Sequence, residues 1–187
     1  MGQVKIRVPY DKAVKFGVAD NGSNGGYDIE FTVDDNVLLN SKLVFTGGLT
    51  VNIPSNVKKL VYSSFRDNTG RGIINYIDTL NMSGVEEIGD GQAGQGVCSS
   101  TLISEINFGN DLTKIGSYAF AFNNRLHSVV LPTSLESIGY YAFFNYLQSG
   151  RLTDVYYMGS EEQWNSIDID SQAFPEDVVI HYNSERR

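Results

Sequence analysis

Residues 112–120 read LTKIGSYAF and residues 135–143 read LESIGYYAF, with six of nine positions identical at a spacing of 23. A phrase repeated at fixed spacing constrains the fold more than any single motif. A unit of about 25 residues cannot bury its own apolar side and must stack on a neighbour. The 112–134 unit places apolar residues at Leu112, Ile115, Ala119, Phe120, Leu126, Val129 and Leu131, followed by Pro132. The next unit offers Leu135, Ile138, Ala142, Phe143, Leu152, Val155 and Tyr157, with three extra residues before Arg151. Fainter copies flank these two. VNIPSNVKKLVYSSF (51–65) superimposes on 129–143, so that Phe65 falls on Phe143. VEEIG (85–89) repeats the opening, and IDIDSQAF (167–174) ends in the same Ile-x-x-x-Ala-Phe spacing. The sequence therefore holds about five turns, the last one truncated.

Each turn also carries an apolar-x-x-apolar-x-apolar segment: Ile77/Leu80/Met82, Ile103/Ile106/Phe108, Leu126/Val129/Leu131 and Leu152/Val155/Tyr157, with Gly48 in the first slot of an earlier copy. The last two apolar slots alternate, which predicts a short strand with one buried face. The Ile-Gly-x-x-Ala-Phe part is too short for a long helix and predicts a brief helical or irregular turn on the opposite wall. Stacking should bring Phe120 near Phe143, and the alanine beside each phenylalanine should let neighbouring turns approach.

LTKIGSYAFAFNNRLHSVVLPTSLESIGYYAF resembles the BspA-like (treponemal-type) leucine-rich repeat, whose unit runs Leu-x-x-Ile-x-x-x-Ala-Phe-x-x-Cys-x-x-Leu-x-x-Val-x-x-Pro. The tail LTDVYYMGSEEQWNSIDI…AFPEDVVIHYNS resembles the way such arrays finish. The likeness is strong over 106–182, weaker over 49–105 and absent before about residue 45. It implies a right-handed repeat solenoid, β-rich with short helical or irregular turns. In the family's Cys slot this sequence has Asn123, with Cys98 near that slot one turn earlier. The resemblance implies that such a residue bonds loop backbone inside the coil, so Cys98 is expected to be structural.

Residues 1–46 follow a different rule. VKIRVPY alternates Val4, Ile6 and Val8, and YDIEFTV alternates Tyr27, Ile29, Phe31 and Val33, with AVKFGV between them. This predicts a small antiparallel β N-terminal segment, with Pro9-Tyr10-Asp11 and DNGSNGG as turns. Residues 47–187 form the solenoid with its C-terminal cap. The N-terminal segment either caps the open end of the stack or docks it to an assembly. DNGSNGGYDIE (20–30) offers Asp20, Asn24, Gly25 and Asp28 at four positions of a calcium loop. Gly22 fails a ligand position, and Phe31 stands where the bidentate glutamate belongs. A hairpin loop is the reading, and no metal is expected.

Chemistry is sparse. The two histidines are His127 and His181, and the one cysteine is Cys98. His127 and Ser128 are adjacent on a strand and point to opposite faces, so they do not pair as base and nucleophile. GDGQAGQG (89–96) lacks the Lys-Ser/Thr of a phosphate loop and reads as an insertion. Trp164, the lone tryptophan, is expected to cover the end of the stack. No catalytic residue, cofactor or metal site is assigned, and an enzyme is not the reading. A formal charge of −8 would repel phosphates, so nucleic acid is not an expected partner. No window approaches eighteen apolar residues, so membrane insertion is not expected. The opening MGQVKIRVPY has no apolar core of a signal peptide, and Ile6 stands where a myristoylation start wants Ser or Thr.

What remains is a surface. Between the core slots of the strands, one outward column reads Asn52, Asn81, Asn107, Val130, Tyr156, flanked by Asp78, Ser104, His127, Thr153 and by Thr79, Glu105, Ser128, Asp154. Such residues suit recognition of a protein or glycan. Asn81, Glu105, Asn107, His127, Val130, Asp154 and Tyr156 are the candidate partner-binding residues. By resemblance, arrays of this kind occur on bacterial cell surfaces and bind host proteins, other bacteria or matrix. The leading reading is a non-enzymatic recognition or adhesion scaffold. The alternative is a structural component of a larger particle, such as a bacteriophage virion or cell-envelope assembly, docked by residues 1–46. The resemblance implies a cell-surface or extracellular location, and the alternative reading a virion.

Overall fold

A computed structural model describes residues 50–62, 64, 77–93, 95–101, 103–146 and 150–184 with their side chains. It also describes the backbone of 2–8, 13–14, 27–34, 37–41, 44–45 and 49. The turn at 9–11, residues 20–26 of the tested calcium loop, Gly48, Phe65 and most of AVKFGV lie outside the described residues.

The N-terminal strands are β1 (Gly2–Val8), β2 (Ala13–Val14), β3 (Tyr27–Asp34), β4 (Val37–Ser41) and β5 (Val44–Phe45). β1 pairs antiparallel with β3, and β3 with β4 across an irregularity between Thr32 and Val33. In a simple meander AVKFGV, which lies between β1 and β3 along the chain, would also lie between them in the sheet. Instead these two are direct neighbours, and β2 pairs with β5.

Two walls of the coil follow from the two apolar patterns. The Leu/Ile-(Gly) positions form two-residue strands: β7 (Lys59–Leu60), β9 (Glu87–Ile88), β11 (Lys114–Ile115), β13 (Ser137–Ile138) and β15 (Asp168–Ile169). They pair in parallel, so that Leu60, Ile88, Ile115, Ile138 and Ile169 make one column. β4 lies parallel to β7, and the N-terminal ribbon thereby extends this wall into an eight-stranded sheet.

The alternating segments form the second wall: β6 (Leu49–Asn52), β8 (Ile77–Met82), β10 (Glu105–Phe108), β12 (Ser128–Leu131), β14 (Asp154–Tyr157) and β16 (Val179–His181). Alternation sends Val129, Leu131, Val155 and Tyr157 inward, where all are buried. This wall is not continuous. β6-β8-β10 and β12-β14-β16 are separate three-stranded sheets. The coil makes about four turns.

The third side carries the Tyr-Ala-Phe corners, and it too is a backbone ladder. The N–H groups of Tyr118, Phe120 and Phe122 donate to the carbonyls of Tyr140, Ala142 and Phe144, one turn on, at 2.9, 2.7 and 2.8 Å. Cys98 and Ser100 donate in the same way to Ala119 and Ala121. Ser100, Tyr118, Phe122 and Tyr141 hold φ between 55° and 61°. A left-handed residue with a side chain costs about 1–2 kcal/mol, so the ladders must hold these corners in place.

Apolar columns run along the axis. Phe120, Phe143 and Phe174 stack at 5.2 and 5.3 Å, and Phe108 meets Phe120 edge-on at 5.6 Å. Ala119, Ala142 and Ala173 are fully buried beside them. The glycine of each Ile-Gly pair serves the same close stacking. A Cβ on Gly116 would lie 2.4 Å from the Gly89 backbone.

The corner ladder revises one slot. Cys98 occupies the position that Phe120 fills one turn on, and Thr101 the position of Asn123. The buried Asn123 amide donates to the carbonyls of Cys98 and Phe120, both at 2.9 Å. Its oxygen accepts from the Thr101 N–H at 2.8 Å and from the Thr101 hydroxyl. Asn123 thus does the expected backbone bonding, but its partner slot holds Thr101 and not Cys98.

At the far end, helix α1 (Glu161–Trp164) begins with a capping box. The Gln163 N–H donates to Ser160 Oγ at 3.3 Å, and the Ser160 N–H to Gln163 Oε1 at 2.9 Å. Its last residue, Trp164, is buried against Tyr157, Phe174 and Tyr182 and so closes over the core.

Candidate functional site

The outer face of the second wall holds the candidate residues in two registers. β6, β8 and β10 align Asn52, Asn81 and Asn107. β12, β14 and β16 align Val130, Tyr156 and His181. The flanking row splits likewise, Thr79 opposite Glu105 and Ser128 opposite Asp154.

In the first half the three asparagines form a chain of amides. Asn81 Nδ2 donates to Asn52 Oδ1 at 2.7 Å, and Asn107 Nδ2 to Asn81 Oδ1 at 2.8 Å. Asn107 Nδ2 also points at Glu105 Oε1, 3.4 Å away. A carboxylate only accepts, which fixes the direction of the chain. Asn107 Oδ1 is therefore left as a terminal acceptor with no partner among the described residues, on the strand that borders the break.

In the second half, His181 Nε2 lies 2.7 Å from Asp154 Oδ1, and its ring stacks on Tyr156 at 4.6 Å and 12°. Thr153 Oγ1 donates to the other Asp154 oxygen at 2.7 Å. The His181 and Thr153 hydrogen bonds hold the Asp154 carboxyl below the usual carboxylate range. The pair therefore braces Tyr156. His127 is exposed, its Nδ1 2.9 Å from the Arg125 carbonyl.

Between the halves lies a groove of about 360 Å³. Glu105, Ile106, Asn107 and Phe108 line one side, and Ser128, Val130, Pro132 and Met158 the other. The two bordering strands share no backbone pairing, so their facing edges turn peptide groups toward the groove. Arg125 reaches over the break to Asp78, with Nη2 3.3 Å from Oδ1, and so links the two sheets.

Of the seven candidate residues, Glu105, Asn107 and Val130 line the groove. Asn81 lies behind Asn107 in the amide chain. Asp154 and Tyr156 sit one strand further on, and His127 precedes Ser128 at the border. Sequence reasoning missed His181, although VVIHY repeats the DVYY alternation and register puts His181 next to Tyr156. It also missed the break itself, for which the column gave one hint: asparagine gives way to valine between Asn107 and Val130.

Stacked turns that set side chains in rows along parallel strand walls define a β-solenoid. The chain belongs to the BspA type leucine rich repeat region family, which matches residues 49–174 in six copies. The family commonly serves as a protein-interaction or adhesion scaffold and is generally non-enzymatic. Comparison with curated proteins and with solved structures found no match. Among the described residues, no helix is long and apolar enough to cross a membrane. No group of three His, Cys, Asp or Glu among them could hold a metal ion.

Proposed function

We propose that this chain is a non-enzymatic recognition scaffold whose outer second wall binds a protein partner, with the groove between β10 and β12 at the centre of contact. The observation that carries this is the parting of the wall. It leaves two strand edges, the Asn107 acceptor, the Glu105 carboxylate and the apolar Val130 and Met158 around one concavity. Concave sites with an apolar lining and a few polar groups suit a ligand's side chain, and facing strand edges suit its backbone. Asn81, His127, Asp154 and Tyr156 surround that centre as an adaptable polar rim.

The test is capture of partners from the native source and from matrix extract, read by mass spectrometry, with Asn107→Lys and Val130→Lys beside the parent. Both side chains face outward, so melting temperatures should stay unchanged. Loss of the same captured proteins from both variants is expected. A catch that survives both substitutions overturns the proposal. A catch whose loss follows glycosidase treatment identifies a glycan as the bound group.

A second reading, docking into a particle through residues 1–46, is favoured by one observation. β1 is the end strand of the eight-stranded sheet, with no strand on its outer side among the described residues. Strand addition there could join the chain to an assembly. If a chain lacking 1–46 still melts cooperatively and keeps every partner, that reading is wrong.

A further inference from the structure

A second concavity of about 740 Å³ lies at the C-terminal end of the stack, on a different side from the groove just described. Its lining includes four aromatic rings, Tyr141, Phe144, Trp164 and Phe174, among aliphatic residues such as Ile169 and Val178. Tyr141 is held between Tyr140 at 3.9 Å and Phe144 at 4.2 Å, so on this wall the face with no ring stacked on it is the outer face of Phe144. Trp164 and Phe174 stand 6.0 Å apart at 35°. The groove also has two carboxylates, Asp170 and Glu176, and no Lys, Arg or His among its lining residues. Asp177 next to them is paired with Arg151, whereas Asp170 and Glu176 enter no salt bridge among the described residues. Asp170 Oδ1 accepts the Gln172 N–H at 2.9 Å.

Ring faces carry negative potential and attract cations, and the two carboxylates add to that field. The pairing of flat rings with unneutralised carboxylates selects for a planar cation. A guanidinium stacks on a ring and presents a fork of donors to a carboxylate, which a compact ammonium does not do. The groove is also several times the size that a single side chain needs, which leaves room for flanking backbone.

We propose that this end groove binds an arginine-bearing peptide segment, its guanidinium stacked on the outer face of Phe144 and paired with Asp170 or Glu176. The site is independent of the second-wall face and would give the scaffold a second, charge-selective point of attachment.

Trp164 is the one tryptophan in the chain and lines this groove, so its emission reports events at the groove wall. The experiment titrates the full chain with a capped Gly-Arg-Gly-Arg-Gly peptide, its lysine counterpart and its neutral citrulline counterpart. Readouts are Trp164 fluorescence and calorimetry, with Asp170→Asn/Glu176→Gln and Asn107→Lys variants beside the parent. Saturable binding of the arginine peptide below about 1 mM is expected. The citrulline peptide and the Asp170→Asn/Glu176→Gln variant should each weaken it by about tenfold or more, and Asn107→Lys should leave it unchanged. Binding should also fall in roughly 0.5 M salt. The proposal is overturned if the citrulline peptide binds equally, if the double variant binds as the parent does, or if no saturation occurs. It is equally overturned if the chain self-associates and the double variant disperses it, because the occupant is then a second copy.

Discussion

Asn123 shows how much one side chain can hold. Four hydrogen bonds converge on its buried amide and tie two corner segments, 98–101 and 120–123, of successive turns. Truncation to alanine strands buried donors and acceptors, at a cost of about 1–3 kcal/mol for each group left unmatched. Asn123→Ala should therefore lose about 2–4 kcal/mol in urea unfolding. An unchanged midpoint would show that the corner is held by its backbone ladder alone. Asp90 makes a smaller, charge-dependent tie. Its carboxylate accepts the Ser117 N–H of the next turn at 2.9 Å and lies 3.3 Å from Lys114 Nζ. The Ser117 hydrogen bond, with help from Lys114, depresses its pKa. A depressed carboxyl stabilises the fold fully above the unfolded value of about 3.9, and that contribution is lost as pH falls through the lower folded value. Asp90→Asn should melt below the parent at neutral pH, and the gap should close on acidification. A gap that stays constant down to about pH 2 contradicts the assignment.

Among the elements, the phenylalanine column shows which part of the fold the sequence made legible and which it hid. Phe120 and Phe143 sit in the most similar stretch of the chain, and their stacking follows directly from the repeat. Phe143→Ala would open a cavity in the middle of the column, with Phe120 on one side and Phe174 on the other, and should cost about 3–5 kcal/mol by thermal or urea unfolding. A loss under about 1 kcal/mol would mean that the turns do not depend on one another through this column. The slot exchange between Cys98 and Thr101 was less legible. GVCSST keeps the left-handed corner at Ser100 but shares little composition with YAFAFN, and only the ladder fixes its register. The parting between β10 and β12 was not legible either. Alternation tells which face a side chain takes, but not whether the neighbouring backbone is close enough to pair. The pairing of β2 with β5 is a similar case, since a short run carries no mark of its partner.

For the whole molecule, the walls differ in what they can do. The first wall is built from two-residue strands laced by exposed pairs such as Lys58–Glu86 at 2.8 Å and Lys59–Glu87 at 2.7 Å, interactions worth little individually. The second has longer strands, an outward polar row and the groove. The proposed recognition role falls to the second wall, and the experiment that separates the two walls is hydrogen exchange on the full chain with a captured partner bound. We predict protection concentrated in 105–108 and 128–131, the strand edges at the parting, with lesser protection in 154–157. Protection confined to 87–88, 114–115 and 137–138, with 105–108 and 128–131 exchanging as in the free protein, would contradict the account.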